Sequence, residues 1–319
     1  MGCTVESATN RKTNALLAVF VAIALGMGLA ALAFVGVPRA QAASDNLVAA
    51  QASKDDSVST QATTAYLTAA KSKYGVTDDR VITVNASAGI QAFLDDAALA
   101  ATASKKWIVY LPEGNDGLSG PITVPQNVVL VGEAASKVSP NESFDILVNI
   151  RGSVYGGTFD SKKLNLTTLK FLECNFADNN GRIDKSVVTN SNRYGIVAIH
   201  GGCRNVVVSG VKVTGSYWSG ISILDAAYAK LIENSDFSKN GTVVNGKGEG
   251  AGINLSHADV GVIRNCTMNN NADKAVSTNS DPVSGYKQPG CTIKSITGCV
   301  MKGNKVNGVY IKPKCKLLS

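Results

Sequence analysis

The sequence predicts an all-β solenoid, in which short strands wind into stacked coils around one shared core. Apolar residues alternate in short runs that end at Gly or Asn, which is typical of strands followed by tight turns. One six-residue block recurs with Gly or Asn at its third position, at spacings of 24, 31 and 33 residues: Gly210, Asn234, Asn265 and Gly298. Such repeats indicate a solenoid, because a single coil cannot bury its apolar face alone.

A second short strand accompanies each block and begins with Gly-Ile or a similar pair. If successive coils stack about 4.8 Å apart, equivalent residues form columns along the solenoid. Two inward columns are then expected, namely Ile221, Ile253, Val276 and Val309, and Phe237, Met268 and Met301. The Gly or Asn corner tolerates left-handed backbone, and stacked Asn side chains can hydrogen-bond along the column.

Residues 1–42 have the layout of a secretory signal, with an uncharged apolar run over 15–37 and the small-x-small sequence Ala40-Gln41-Ala42. The run is also long enough to span a bilayer, so a cleaved signal and a retained membrane anchor both stay open. In either case we expect the remainder to be secreted or displayed at the cell surface. A flexible linker with a short helix is expected over 43–80.

The remaining region, 81–319, begins with apolar residues at helical spacing over 87–101. Strands of the same plan follow at Trp107–Gly114, Asn127–Gly132 and Val154–Asp160. This arrangement resembles the pectate-lyase-type right-handed parallel β-helix superfamily. The resemblance implies an all-β right-handed parallel β-helix with an N-terminal α-helical cap. Because the last four residues would begin another coil, we expect the β-helix to be truncated at its C-terminus.

The superfamily includes lyases, hydrolases, epimerases and non-catalytic adhesins, so the resemblance says more about fold than about chemistry. The formal net charge is +7, and residues 274–319 contain eight lysines and a single acid, Asp281. A lysine-rich face attracts acidic glycans or an anionic cell envelope, although a solvated edge has the same composition. No nucleic-acid partner is predicted, and the apolar run 15–37 is the one predicted link to a membrane.

Three polar residues share one expected column, because His200, Asp225 and His257 each lie four residues after the isoleucine of a Gly-Ile strand. Asp225 could fix the tautomer of one imidazole for general base catalysis. The same column could instead bind a divalent metal such as zinc, which is the one cofactor considered. The alternative is an ordinary turn position, since Ser280 continues the column.

In the superfamily that this chain resembles, the groove beside the Gly-Ile strand commonly holds the glycan. The corresponding candidates for substrate binding are Tyr217, Trp218, Ser222, Glu249, Asn254, Tyr310 and Lys312. An exposed Tyr-Trp pair could stack on sugar rings, although a loop aromatic folded over its own coil has the same sequence. Hydrolases of this kind carry Asp just before the strand, where this chain has Tyr194, Ser219 and Ala251, which disfavours hydrolysis.

Six cysteines follow Cys3. Cys266 and Cys299 share a column on adjacent coils, and Cys291 and Cys315 are expected in neighbouring turns. Both pairs are disulfide candidates in an exported protein. The alternative for Cys266 and Cys299 is a reduced stack of small apolar side chains.

Two functions fit these observations. The first is a polysaccharide lyase or epimerase acting on an acidic glycan, in which one histidine removes the proton next to the uronate carboxyl group and Asp225 orients that histidine. A nearby lysine would neutralise the carboxylate. The second is a non-catalytic cell-surface module that binds glycan. We therefore expect a glycan-directed protein and leave catalysis open.

Overall fold

The computed structural model describes residues 65–85, 89–172, 181–200, 202–282 and 290–319. The predicted signal or anchor, with its apolar run 15–37, lies outside these residues. Among the described residues, no helix is both long and apolar enough to cross a membrane.

The described residues form two α-helices, one 3-10 helix and 23 strands. In chain order these are α1 (Ala65–Tyr74), the 3-10 helix (Asp78–Arg80), β1 (Val81–Thr83), α2 (Ile90–Ala100), β2 (Trp107–Leu111), β3 (Gly114–Leu118), β4 (Ile122–Val124), β5 (Val128–Pro140), β6 (Ile146–Ile150), β7 (Ser153–Asp160), β8 (Thr167–Phe171), β9 (Arg182–Asp184), β10 (Val187–Thr189), β11 (Tyr194–Ile199), β12 (Val206–Ser209), β13 (Lys212–Thr214), β14 (Ser219–Leu224), β15 (Tyr228–Glu233), β16 (Thr242–Val244), β17 (Lys247–Glu249), β18 (Ala251–Ser256), β19 (Asp259–Arg264), β20 (Lys274–Asn279), β21 (Thr292–Thr297), β22 (Asn307–Tyr310) and β23 (Lys316–Leu317).

Two parallel sheets run along the solenoid. Sheet 1 has the strand order β1-β2-β5-β7-β9-β12-β15-β19-β21-β23, with β3 paired to β5, and sheet 2 has the order β4-β6-β8-β11-β14-β18-β20-β22. A narrower third face is built from β7, β10 and β13 and continues through single bridges at Asp236, Thr267 and Val300. Strands β16 and β17 form a separate antiparallel hairpin.

The inward columns expected from the repeat are confirmed. Ile221 pairs with Ile253, and the register continues through Val276 to Val309. In the second column, Phe237 and Met268 are fully buried and Met301 packs against the same core. Because each coil contributes side chains to a shared interior, the core is one continuous cluster along the solenoid.

The corner after each strand of sheet 1 has the left-handed backbone that its residues favour. The φ angles at Gly210, Asn234, Asn265 and Gly298 lie between 50° and 65°. Asn265 donates a hydrogen bond through Nδ2 to Asn234 Oδ1 at 3.4 Å, as expected for stacked asparagines. At position 298 a Cβ would lie 2.5 Å from Asn265 Oδ1, so a larger residue there requires the Asn265 side chain to move.

Helix α1 covers part of the outer face of sheet 1. Ala70 and Tyr74 of the helix are buried against the outward side chains of β2, β5 and β7, which are Ile108, Tyr110, Val129, Val131 and Tyr155. This helix lies within the segment assigned to the linker, and the domain boundaries stay a prediction.

A buried carboxylate fixes the C-terminal end of α1 to the sheet. Asp184 on β9 is 1 % exposed and accepts hydrogen bonds from Lys73 Nζ at 2.7 Å and Tyr74 Oη at 3.0 Å. Arg182 donates two more, from Nε at 3.1 Å and Nη2 at 3.0 Å. Burial, followed by the charge of Asp184, raises the pKa of Tyr74 well above its usual value, so the phenol remains a donor.

Helix α2 packs against the first coil. Ile90, Leu94 and Ala97 are buried in the main core with Val109 and Leu111 of β2. The helix is present where the apolar spacing predicts one, and its role as a cap for the solenoid stays a prediction.

The predicted disulfides are not found, and Cys266, Cys291, Cys299 and Cys315 are free thiols. Cys266 and Cys299 are neighbours, with 3.5 Å between the Cys266 amide nitrogen and the Cys299 sulfur. Side chains at equivalent positions of adjacent coils point the same way and are about 4.8 Å apart, whereas a disulfide needs Cβ atoms about 3.5–4.5 Å apart. The reduced apolar stack is what forms, and burial raises the pKa of Cys266 to about 12 and that of Cys291 to about 11.

Candidate functional site

The outer face of sheet 2 carries a groove made of three adjoining cavities. The first has a volume of about 320 Å³ and extends from β6 to β14, the second has about 270 Å³ and extends from β11 to β20, and the third has about 880 Å³ and extends from β18 past β22. Tyr194 and Leu224 line both the first and the second cavity. Glu249, Asn254 and Asn279 line both the second and the third. The cavities therefore form one path across seven strands, about 29 Å long at about 4.8 Å per step.

Two aromatic rings and a guanidinium mark the junction of the first two cavities. The Tyr194 and Trp218 rings meet edge to face, with centroids 5.6 Å apart. The Arg193 guanidinium carbon lies 4.0 Å from the Trp218 ring centroid and 5.2 Å from that of Tyr194. These cation–π contacts hold the arginine against the ring faces and orient it at the first cavity, which it lines.

The hairpin β16–β17 forms a wall of the groove and places Glu249 between the second and third cavities. Its turn, Asn245-Gly246, has φ angles of 48° and 77°, and Lys305 donates a hydrogen bond from Nζ to the Gly246 carbonyl at 2.6 Å. Gly250 follows the hairpin at φ 92°, where an added Cβ would lie 1.6 Å from the Trp218 carbonyl oxygen. The hairpin is thus packed tightly enough to fix the position of Glu249.

The structure brings together two members of the His–Asp–His column. His200 Nδ1 lies 2.7 Å from Asp225 Oδ2, with 69 % of the His200 side chain exposed and 12 % of that of Asp225. Ile199 and Leu224, which immediately precede the pair, line the first cavity. The pair therefore lies at the edge of that cavity, with the imidazole accessible to solvent.

His257 occupies the next turn of the same column but is buried, with 3 % of its surface exposed. Its Nδ1 lies 3.0 Å from the Ser256 hydroxyl, which lines the second cavity. The φ angles of His200, Asp225 and His257 are 71°, 45° and 55°, a left-handed region that His and Asp adopt more readily than most residues. The left-handed turn is therefore by itself a sufficient explanation for His and Asp at these positions, and so is a chemical role.

The predicted substrate-binding residues are distributed unevenly. Those that line the groove are Trp218, Glu249, Asn254, Tyr310 and Lys312. Tyr217 is exposed and is not part of the lining of the three cavities. Ser222 is fully buried despite its outward position, and its hydroxyl has no hydrogen-bond partner among the described residues.

Several groove residues were missed by the sequence analysis. Lys170 lines the first cavity because β8 pairs with β11 in the register Leu169 to Ile196. Aligning Thr-Leu-Lys-Phe with Gly-Ile-Val-Ala would have revealed it. Lys274 and Asn279 could have been found in the same way, as the first and last residues of a recognised groove strand.

In the described part of the chain, no group of three His, Cys, Asp or Glu side chains lies close enough together to hold a metal ion. Lys274 is paired with Asp273 and Lys312 with Asp281 in the third cavity. By contrast, Lys170 and Arg193 in the first cavity belong to no ion pair among the residues described.

Residues 171–318 match the family model described as a right handed beta helix region. The fold is a right-handed parallel β-helix. The superfamily resemblance is confirmed at the level of the fold, and the search of curated proteins gave no match.

Similar solved structures include the catalytic domain of a GH87 alpha-1,3-glucanase in complex with nigerose, with 10 % identity, 75 % of this chain and 68 % of that chain covered, and a TM-score of 0.33. The A-module of the mannuronan C-5 epimerase AlgE4 of Azotobacter vinelandii has 16 % identity, 76 % and 96 % coverage and a TM-score of 0.30. ORF18 of Geobacillus virus E2 has 13 % identity, 78 % and 64 % coverage and a TM-score of 0.41. These values leave the substrate of the β-helix to be inferred from its own residues.

Proposed function

We propose that the groove on sheet 2 binds a polysaccharide. The observation that carries the proposal is the continuity of the three cavities, which share lining residues across seven strands. A path about 29 Å long suits an extended chain of several sugars better than a compact small molecule. The cavities are also open along the surface, so a polymer can enter and leave without threading.

The lining has the chemistry that sugars require. Trp218 and Tyr310 line the groove with rigid aromatic rings that can bury the apolar faces of sugar rings, while Arg193 lies over one face of the Trp218 ring and Lys274 over one face of the Tyr310 ring. Asn254, Ser256 and Asn279 offer amide and hydroxyl groups that can exchange hydrogen bonds with sugar hydroxyls. Lys170 and Arg193, which have no ion-pair partner within the described part of the chain, favour a ligand with negatively charged groups, which supports an acidic glycan.

Binding should be measured with the purified full chain and glycans of several charge types, by calorimetry. Trp218→Ala is expected to weaken binding about tenfold, because an aromatic anchor contributes on the order of 1–2 kcal/mol. Tyr217→Ala removes the neighbouring exposed ring outside the cavities and should change affinity less than about twofold. Binding that is insensitive to Trp218→Ala but lost in Tyr217→Ala would contradict the placement of the glycan, and a chain that binds no glycan would contradict the function.

A second function, proton abstraction by His200, is favoured by the 2.7 Å contact between His200 and Asp225. When Nδ1–H donates to Asp225, Nε2 keeps a lone pair and can accept the proton on the carbon next to a uronate carboxyl group. The electron pair of that C–H bond then forms the C4–C5 double bond as the C4–O bond breaks and the leaving oxygen takes a proton from water, or it takes a proton from water on the opposite face. The first route is a lyase reaction and the second an epimerase reaction. In this proposal Lys170, which lines the first cavity, neutralises the carboxylate, and His257 completes the catalytic column.

Catalysis should be tested by incubating the chain with polyuronates and following the ultraviolet absorbance of unsaturated products and the ratio of epimers. His200→Ala and Asp225→Asn should each abolish turnover while glycan binding persists. His257→Ala is to be compared with them, since its ring is buried. Turnover that survives His200→Ala would exclude this mechanism, and binding without any turnover would identify a non-catalytic surface module. Export through the N-terminal segment is part of both proposals.

A further inference from the structure

The charges along the groove are not uniform. The first cavity contains two cations, Lys170 and Arg193, and one exposed acid, Asp145. The second cavity contains one charged side chain among its described lining, Glu249. In the third cavity Lys274 and Lys312 are each ion-paired, and Glu249 lines this cavity too. Among the described lining residues, cations without an ion-pair partner thus occur in the first cavity alone.

The distance between the cationic and acidic parts can be read from the strand register. Lys170, Val197, Ser222 and Asn254 occupy the same outward position on successive strands of sheet 2. Asn254, which lines the second cavity with Glu249, is therefore three strand steps from Lys170, about 14 Å. A glycan that fills both cavities places one sugar by Lys170 and Arg193 and a later sugar opposite Glu249.

The backbone that carries Glu249 in the middle of the groove is tightly packed. Its hairpin is fixed by the hydrogen bond from Lys305 to Gly246, and the added-Cβ distances at Gly248 and Gly250 are both 1.6 Å, to the carbonyl oxygens of Ala272 and Trp218. The backbone position of Glu249 is therefore fixed, and its exposed carboxylate lines both the second and the third cavity. A carboxylate or sulfate on the sugar at this position meets like-charge repulsion, whereas hydroxyl groups can bond to Glu249, Asn254 and Asn279.

We propose that the groove selects a glycan in which negatively charged sugars are separated by uncharged ones, rather than a polymer charged on every sugar. The inference rests on the proposed polysaccharide-binding function and adds the charge pattern of the ligand. The first cavity binds the charged sugar, and the second, with Glu249, accepts an uncharged sugar and rejects a charged one.

The test compares three oligosaccharides of equal length at one ionic strength, with the full chain. They are a hyaluronate oligomer, in which uronate alternates with an uncharged N-acetylated sugar, an oligogalacturonate, charged on every sugar, and a neutral cello-oligosaccharide. The hyaluronate oligomer should bind about three- to fivefold more tightly than the oligogalacturonate, as expected for one avoided surface repulsion. Glu249→Gln should raise the affinity for oligogalacturonate by a similar factor and change that for hyaluronate less than about twofold.

Glu113→Gln is the matched control, since Glu113 is exposed between β2 and β3 and does not line the groove. It should alter neither affinity. Oligogalacturonate binding as tightly as hyaluronate, an equal response of both to Glu249→Gln, or tightest binding of the neutral oligomer would overturn the charge pattern while leaving the groove as the binding site. Absence of binding to all three would overturn both proposals.

Discussion

The outer faces of the two sheets have opposite surroundings although the same coils build them. On sheet 1, helix α1 lies over the first strands and buries Tyr155 and Asp184. On sheet 2, the outward side chains of β6 to β22 line an open groove. We refer to these as the covered face and the open face.

The comparison shows how the same fold buries charged groups on one side and leaves an open groove on the other. The covered face satisfies its charge internally, since Asp184 accepts hydrogen bonds from three side chains. The open face keeps Lys170 and Arg193 outside any ion pair of the described residues. Substitutions on the covered face should therefore change folding, and those on the open face should change ligand affinity.

The largest effect is expected from Asp184→Asn on the covered face. The change removes the charge that Lys73 and Arg182 neutralise, and a buried pair that loses one partner typically costs about 3–5 kcal/mol. The free energy of unfolding, measured in urea, should fall by that amount. Asp78→Asn is the control, because Asp78 pairs with Lys71 at the surface and should cost less than about 1 kcal/mol. Equal, small losses in both variants would show that α1 is not anchored as described.

A smaller effect is expected from Gly250→Ala, which displaces the hairpin from the open face. The new Cβ would lie 1.6 Å from the Trp218 carbonyl at a φ of 92°, so both a clash and backbone strain follow. We expect a loss of about 1–3 kcal/mol in unfolding free energy and weaker glycan binding. Gly120→Ala meets no atom within 4 Å and should be nearly neutral. Unchanged binding in Gly250→Ala would mean that the hairpin does not shape the groove.

The interior between the two faces can be tested through the pH dependence of stability. Burial raises the pKa of Cys266 to about 12 from the 9.0 of an ordinary thiol. Below pH 9 both folded and unfolded chains hold this proton, and above it the unfolded chain releases it first. Stability should therefore fall with rising pH, by about 1 kcal/mol from pH 9 to 10 for this thiol.

Urea unfolding of the parent chain and of Cys266→Ala over that pH range checks the expectation. In Cys266→Ala the unfolding free energy should fall less steeply with pH, because up to one proton fewer is released on unfolding. The comparison requires that the variant remains folded at pH 8. An identical slope in both proteins would indicate that Cys266 is not buried as a neutral thiol.

The smallest effect is expected when a lysine on the outer side of sheet 2 is removed and the result is compared with removal of a lysine on sheet 1. Lys170→Ala should weaken binding of an acidic glycan about threefold and reduce its dependence on salt, because a partly exposed charge of this kind contributes up to about 1 kcal/mol. Lys230→Ala removes an exposed lysine of β15 on sheet 1 and should leave both quantities unchanged. Equal losses in the two variants would point to a general effect of charge rather than to the groove.

Much of the β-helix could be predicted from the sequence because its interior is shared. The column from Ile221 to Val309 and the left-handed corners at Asn234 and Asn265 are local patterns repeated in space. The groove was located through the same alignment, since Asn254 and Tyr310 are outward residues of aligned strands. The neighbouring positions of His200 and Asp225 follow from that register too.

Other features depend on geometry that the register alone does not contain. Cys266 and Cys299 are neighbours as expected, but parallel in-register side chains point the same way and no disulfide forms. Ser222 faces outward in the strand pattern and is nevertheless buried, because burial depends on what lies over it. Lys170 was missed because its strand was not aligned with the other groove strands.

The sequence by itself determined the coil: which residues face inward, where the backbone turns left-handed, and which strands stack in register. These features follow from period-2 alternation and from the few residues that tolerate a positive φ. Only the tertiary structure decided which outer face is covered, which lysines stay unpaired and how Glu249 is placed above the groove. Those outcomes depend on contacts between segments far apart in the chain, such as Tyr74 with Asp184 and Lys305 with Gly246, which no local pattern specifies.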